Sequence, residues 1–583
     1  MILQALKEYY DRKAADPDSG IAPLGWERKE IPYLIVLRED GSLVRVEDTQ
    51  ELVGKKKRAK TFLVPQAVKR SSGVASNLLW DNVEYATGIV CKGKPDRVAA
   101  QHEAFVKRLG ELGPCPAVEP VRKFLSRADF RDALAACPEW KEAADGCAFV
   151  SFKIAGNSQP VFRAPDVVER VDAAGASGTA GGGSFCPVSG RTDTVSKLHP
   201  AIKGVAGTNT TGGNIVSFNF PAACSFGKSQ GENARIGERA AFEYTTALNT
   251  LLGKDSKQKM QVGDATTVFW SSKPTSLEDD MADIFGEPAK DDPDKGVDAV
   301  ERLLASVKTG AFAHDEETTR FYVLGLAPNA ARIAVRFWHE GTVAEMERRF
   351  ADWFENLLID HGPKDKEHLS LWRLLCSIAP LGKSENVPPN LAGAVMRSIL
   401  EGTAYPATLL SSAIVRIKAE RDVTYPRAKL IKAFINHNLN PERKLTVSLD
   451  KENPSAGYRL GRLFAVLERI QQAANPGINA TIRDKFYASA SATPAAVFGN
   501  LMRLKNHHLA KLPKTAFFED LIGEILSGIA EFPAHLPLDE QGMFAIGYYH
   551  QRQDFFTKKD KSASEAPAAD DGDAAAVQTQ LSL

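Results

Sequence analysis

The chain has seven cysteines, Cys91, Cys115, Cys137, Cys147, Cys186, Cys224 and Cys376, and no Cys-x-x-Cys pair among them. An odd number without paired spacing argues against a disulfide framework and against a zinc ribbon; buried, reduced thiols in a cytoplasmic protein are expected instead. Charge of either sign is not in excess, because Lys+Arg and Asp+Glu stand at 73 each. Any surface that holds a polyanion must therefore be local. No apolar run approaches the roughly 20 residues that span a bilayer. The first ten residues, Met1-Ile-Leu-Gln-Ala-Leu-Lys-Glu-Tyr-Tyr10, have the apolar spacing of a short amphipathic helix and lack the basic start and apolar core of a signal peptide. A cytoplasmic location without a membrane partner is the expectation.

The catalytic patterns are missing as well. Gly227-Lys228-Ser229 is the nearest approach to a phosphate-binding loop, but such a loop needs a glycine at position 222, where this chain has Ala222. His314-Asp315 is a lone pair without further ligands. His507 and His508 are adjacent in a helical stretch, so their side chains diverge by about 100° and do not converge on one metal. Cys186 and His199 have no second Cys or His pair near them. There is no Gly-x-Ser-x-Gly elbow, no His-Glu-x-x-His and no tight carboxylate cluster. No catalytic residue, metal or cofactor is expected, and a binding role is favoured over an enzyme.

What the 583 residues do contain, 43% hydrophobic and 25% charged, suits a globular protein of two to four structural units. Tyr33–Leu37 and Leu43–Val46 flank Glu39-Asp-Gly-Ser42 as a hairpin, and Thr61–Val64, Ala148–Ile154, Ile215–Phe220 and Thr266–Trp270 have strand length and composition. Asn77–Gly88 reads as a helix that Gly88 stops. Phe321–Leu326 and Arg332–Trp338 pair across Ala327–Ala331. From about residue 341 the periodicity becomes helical, in Val343–Ile359, Leu369–Ile378, Ala392–Leu400, Leu409–Ala419, Leu460–Ala474, Ala495–Leu504 and Phe518–Ile529. The expected architecture is an α+β N-terminal domain, 1–340, followed by an all-α helical-bundle C-terminal region. That region divides into 341–459 and a module at 460–557, with a disordered tail at 558–583. Ala/Gly/Ser-rich 173–184 is an expected flexible loop and acidic 287–296 an expected linker.

Two stretches have the chemistry of nucleic-acid contacts. Lys55, Lys56, Lys57, Arg58 and Lys60 form a dense basic run between strands, followed by Lys69, Arg70, Ser71 and Ser72. Such loops suit phosphates, because association releases condensed counterions. The segment Leu198–Phe220 carries only one charged side chain, Lys203. Its glycines allow close backbone approach, and Thr208, Asn209, Thr210, Thr211 and Asn214 supply small donors and acceptors beside Gly212 and Gly213. Lys203 within it would hold a phosphate, and Asn77 is a further candidate for either task.

Several pieces of the chain, in order, resemble one family. They are Ile2-Leu-Gln-Ala-Leu6 with Tyr9-Tyr10, Asn77-Leu-Leu-Trp-Asp-Asn82 with Glu84-Tyr85, Leu198-His-Pro200, Ile202-Lys-Gly-Val205 and Val216-Ser-Phe-Asn219. Tyr244-Thr-Thr-Ala-Leu-Asn249, Leu326-Ala-Pro-Asn329 and Val335-Arg-Phe-Trp338 continue the series. Gly461-Arg-Leu-Phe-Ala-Val-Leu-Glu468, Asn479-Ala-Thr-Ile-Arg483, Gln541-Gly and Gly547-Tyr-Tyr-His-Gln551 complete it. The pattern resembles the large subunit of the type I-C CRISPR surveillance complex, Cascade; the 173–184 insert and the tail lie outside it. The resemblance implies a subunit whose N-terminal domain recognises a short protospacer-adjacent motif in double-stranded DNA. It implies that the duplex then opens for pairing with the guide CRISPR RNA, and that the helical region lies along the displaced strand. It also implies backbone and guide-processing subunits, small subunits and a separate helicase–nuclease as partners. On this reading Thr208, Asn209, Thr210, Thr211, Gly212, Gly213 and Asn214 approach base edges, with Ser71, Ser72 and Asn77 in second rank. Lys55–Arg58, Lys60, Lys69, Arg70 and Lys203 hold phosphates, and Arg483, Lys485, Arg503, Lys505 and Lys511 track the displaced strand. An architectural subunit that holds guide RNA without reading bases, and a metal-dependent nuclease with an unrecognised site, are the alternatives.

Overall fold

In the computed structural model, the run Tyr33–Leu37 is buried along its whole length, as a strand covered on both faces must be. It pairs antiparallel with Leu43–Asp48 and parallel with Phe149–Ile154, and Trp80–Asn82 closes the far edge. The hairpin turn uses Gly41 at φ +84, where a Cβ would lie 2.6 Å from Lys123 Cβ. Asp40 Oδ1 accepts the Ser42 N–H at 2.8 Å and completes the turn. The crossover to the parallel strand carries helices Pro95–Gly110, Glu119–Ser126, Phe130–Ala135 and Pro138–Gly146. Their Phe105, Leu109, Phe124, Leu134 and Trp140 fill the core under the sheet.

The structure describes residues 1–54, 56–68, 70, 73–177, 183–288, 295–309 and 317–556. The chain divides into two units, Met1–Arg349 and Phe350–Leu583. The first unit holds a second core around an antiparallel sheet of Lys259–Val262, Ala265–Ser271, Arg320–Asn329 and Arg332–Thr342 in sequence order. Helices Ile2–Ala14 and Glu238–Leu251 cover it, bringing Leu6, Tyr9, Tyr244 and Leu248 onto Trp270 and Leu324. Trp270 Nε1 donates to Ala5 O at 3.2 Å, so the amphipathic start of the chain is part of a core formed with residues far along the sequence. This unit also has three two-stranded ribbons among its described residues, Trp26–Glu30 with Thr61–Pro65, Gln50–Val53 with Lys56–Ala59, and Ser184–Phe185 with Thr192–Asp193.

The second unit is built of helices and connecting loops, with no strand among its described residues, through to Leu538–Phe556. The fold is therefore an α+β N-terminal region followed by a helix-rich C-terminal one. Helices Ala456–Ala474 and Leu538–Phe556 form its centre, and both are buried nearly all round. Most polar groups inside the pair are satisfied, His550 Nε2 being an exception. Arg462, wholly buried, donates to Gln551 Oε1 at 3.1 Å and Glu524 Oε1 at 2.7 Å, and Tyr548 Oη donates to Glu468 Oε2 at 2.6 Å.

The local expectations divide. The Tyr33–Leu37 hairpin, the Thr61 strand, the Phe149 strand, the Thr266 strand and the Phe321/Arg332 hairpin are present. Asn77–Gly88 is not one helix. Trp80–Asn82 joins the sheet, and only Val83–Thr87 is helical, capped by Asn82 Oδ1 on Tyr85 N–H at 3.1 Å and stopped by Gly88 at φ +68. Ile215–Phe220 is not a strand. Only Asn214 bridges to Arg332, and the chain then leaves the sheet edge. Residues 173–177 finish helix Pro165–Ser177, and Lys295 opens helix Lys295–Thr309. The rest of the expected loop at 178–182 and of the linker at 289–294 lies outside the described residues, as do Lys55, Lys69, Ser71, Ser72, His314, Asp315 and the tail 558–583. Among the described residues no helix is long and apolar enough to cross a membrane.

Candidate nucleic-acid interface

The 198–220 segment is anchored at its neck and open at its tip. Asn249, from helix Glu238–Leu251, holds one side: its Nδ2 donates to Ala201 O at 3.0 Å and its Oδ1 accepts the Lys203 N–H at 2.8 Å. Ile202 and Gly213 exchange both backbone bonds, at 2.8 and 2.9 Å. Asn214 Nδ2 donates to the carbonyls of His199 and Pro200, each at 3.1 Å, and Asn214 O accepts the Ile333 N–H at 3.0 Å. Gly212 sits at φ +84, where a Cβ would come 2.5 Å from Ile202 O, and a Cβ on Gly213 would lie 2.9 Å from Ile333 Cγ1. Gly212, Gly213 and Asn214 thus build the neck. The Thr208 hydroxyl donates to Val205 O at 2.7 Å and stays half-buried. Lys203, Asn209, Thr210 and Thr211 are exposed.

The basic ribbon lies near the same anchor. Arg58 forms ion pairs with Asp255 at 2.8 Å and Glu30 at 3.7 Å, and Asp255 follows helix Glu238–Leu251 in the chain. Lys57 pairs with Glu142 at 2.7 Å, while Lys60 is exposed and lies 5.5 Å from the Phe62 ring centroid. Lys29, on strand Trp26–Glu30, sits 3.8 Å from the Phe149 ring centroid and 5.7 Å from that of Trp80. Burial, and then the nearby charge of Lys203, push its ammonium below the usual lysine range. Lys203 is exposed, and Glu27, Glu30 and Asp81 act on Lys29 in the opposite direction. Lys254, 3.3 Å from Glu30, adds another positive group.

Other expected contacts are not available in the same way. Asn77 is buried, with Oδ1 accepting Val68 N–H at 3.0 Å and its own N–H donating to Asp81 Oδ2 at 3.0 Å. Arg70 is ion-paired with buried Asp81, and its guanidinium lies 3.9 Å from the Tyr85 ring centroid. The Gly227-Lys228-Ser229 stretch leads into a short helical turn, where Ser229 and Glu232 cap each other. In the second unit Arg483 pairs with Asp422 at 3.2 Å and lies 3.8 Å from Glu468, and Lys505 pairs with Glu519 at 3.0 Å. Lys511 donates to Asn475 Oδ1 at 3.1 Å, whereas Lys485 and Arg503 are exposed on consecutive helices.

Sequence reasoning missed Lys29 and Lys254. Neither stands in a basic run; each reaches the site through strand or helix geometry. It also missed Phe226, 97% exposed and at φ +53, and Phe220, whose ring lies 5.2 Å from the Arg332 guanidinium. Exposed aromatic faces of this kind suit base stacking.

The structure thus places exposed lysines and aromatic rings near an exposed polar tip, and comparison with known proteins places the chain among CRISPR-associated proteins. The family model for CRISPR-associated protein (Cas_Csd1) matches residues 6–556, and the chain belongs to that family. No curated protein matches it.

Proposed function

We propose that this protein is the large subunit of a type I-C CRISPR RNA-guided surveillance complex. In this reading it recognises the protospacer-adjacent motif in double-stranded DNA, promotes duplex opening and R-loop formation, and helps recruit the helicase–nuclease. It does no catalysis of its own. The observation that carries the reading is the exposed Asn209-Thr-Thr211 tip beside Lys203 and Lys29, in a chain whose family match runs from residue 6 to 556. Neutral donors and acceptors on a rigid neck suit base edges, and lysines beside them suit the flanking phosphates.

The test uses the complex assembled with guide RNA. Asn209→Ala with Thr211→Ala is expected to weaken binding to motif-bearing duplexes more than to motif-free ones. Asn214→Ala, which loosens the neck, is expected to weaken both and to expose the loop to protease. Equal losses for both duplexes with the tip variant would remove base reading and leave a purely architectural role.

A further inference from the structure

Away from that face, the fold gathers three residues that no sequence spacing joins: Glu84 in helix Val83–Thr87, Cys91 in the turn after it, and Cys147 at the end of helix Pro138–Gly146. One carboxylate oxygen and the two Sγ atoms all lie within 4.8 Å of one another, and the two thiols share a hydrogen bond. The carboxylate is held in place. Glu84 is buried, and its Oε1 accepts the N–H groups of Cys91, Lys92 and Gly93 at 3.1, 2.7 and 2.6 Å. Burial alone would raise its carboxyl, but those bonds outweigh burial and hold the group below its ordinary value. Cys147 is fixed in the left-handed region at φ +51, between the helix end and strand Phe149–Ile154. Burial, then Cys147 and Glu84, push the Cys91 thiol up to about 12, despite the opposing charge of Lys92. A fixed carboxylate within ligand distance of two sulfur atoms suits a divalent cation.

We propose that Glu84, Cys91 and Cys147 bind one thiophilic divalent cation of the zinc class, with water completing the coordination. Two sulfur donors and a carboxylate are the ligand types that Zn2+ accepts, and three protein ligands leave one position open. Binding breaks two S–H bonds and forms two metal–sulfur bonds, releasing two protons to solvent; no electron is transferred. The ion would clip the 91–93 turn to the root of the strand whose Phe149 ring underlies Lys29.

The test is a Co2+ titration of the reduced, metal-free full-length protein. Near-ultraviolet sulfur-to-cobalt charge-transfer absorption is expected to saturate at one equivalent and to vanish on adding Zn2+. Cys91→Ser and Cys147→Ser should each abolish the band and weaken binding at least about 100-fold, since even outer-shell changes cost 10–100-fold. Cys224→Ser, at the exposed cysteine, should leave it intact. Glu84→Gln is a poor first test because it also frees the turn. If a serine variant fails to fold, proton release by the wild-type protein, two per Zn2+ in weak buffer, decides the matter. No saturable signal at one equivalent would overturn the site. So would a band that survives in the folded double variant, or a Cys91–Cys147 disulfide that forms in the presence of stoichiometric Zn2+.

Discussion

Gly461→Ala and Gly547→Ala probe the contact at the centre of the helical unit. Gly461, on helix Ala456–Ala474, faces Phe544 O across the crossing, and an added Cβ would lie 2.1 Å from it. Gly547, on helix Leu538–Phe556, faces Tyr458 O from the other side at 2.0 Å. Cβ atoms do not approach backbone oxygens within 3.0 Å, so either methyl must push the helices apart by about 1 Å, a gap that forfeits a quarter to a half of each dispersion contact. Leu460, Leu463, Phe464, Phe544 and Ile546 are all fully buried along this pair and share the loss. Overpacking costs about 1–3 kcal/mol and sometimes more, while Gly→Ala in a helix returns about 1 kcal/mol; a clash this close belongs at the upper end, so each variant should lose up to about 2 kcal/mol net. Because both methyls open one gap, the double variant should lose less than the sum. Gly499→Ala and Gly523→Ala are the controls. They lie mid-helix with nothing within 4 Å of the new Cβ, and should gain up to about 1 kcal/mol. Amide hydrogen exchange across residues 456–474 and 538–556 reads the effect in the full chain. Unchanged protection in Gly547→Ala, or the same sign for Gly547→Ala and Gly499→Ala, would refute the close crossing.

The remaining predictions concern charge. In the assembled complex, Lys203→Ala and Lys29→Met should each reduce the slope of log affinity against log salt by about 0.9, measured by fluorescence anisotropy with duplex DNA; an unchanged slope removes that lysine from the phosphate contacts. Burial lowers Lys429 to about 7 and Lys432 to about 8. The unfolded chain therefore binds more protons than the folded one between those values and the ordinary lysine value of 10.5. Stability of the helical unit should rise with pH from about 7 towards 9.5, by a few kcal/mol at most. Lys429→Met should flatten the rise in a denaturant series; a slope that stays the same assigns it to other groups.

The legible parts of the fold were those where one face meets solvent. The Tyr33–Leu43 hairpin carries its turn chemistry in Asp40 and Gly41, and helix Ala407–Glu420 has an apolar stripe. Helix Leu538–Phe556 has residues 542–551 all buried, so no stripe distinguishes it, and the periodicity that finds helices passes over it. Tyr425–Asn438 escapes for the same reason, since residues 427–436 are buried and include Lys429 and Lys432. Those lysines read as surface charge, yet their ammonium groups donate to the carbonyls of Leu357 and Asn356 at 3.1 and 3.3 Å, at the C-terminal end of helix Val343–Leu357. At the interface, the exposed tip was visible in composition. That Asn214 and Gly213 serve the neck was not, because the partners, His199 O, Pro200 O and Ile333, are defined only once the sheet is formed. Lys29 was invisible for a related reason: its importance comes from Phe149 and Lys203, neither of them near it in sequence.

The basic ribbon poses a sharper question, because two of its cations, Lys57 and Arg58, already have partners. Lys57 holds Glu142, and Arg58 holds Asp255 and Glu30, all on exposed surface. Pairs in that setting contribute little to stability and are screened by salt, so a phosphate can displace the carboxylate at small cost. In the proposed role, the acidic partners would offset the charge of Lys57 and Arg58 until that exchange and so limit adhesion to other polyanions. Lys203 is exposed and forms no ion pair among the described residues, so in the proposed role it would meet phosphate without first losing a partner. On this view Asp255→Asn should raise affinity for motif-free duplex and steepen its salt dependence by no more than one released counterion, because a single guanidinium is freed. Motif-bearing duplex should gain less, since there the ribbon has already exchanged partners. Equal gains for both duplexes would mean that Arg58 stays paired with Asp255 in the specific complex, and would take the ribbon out of the recognition step.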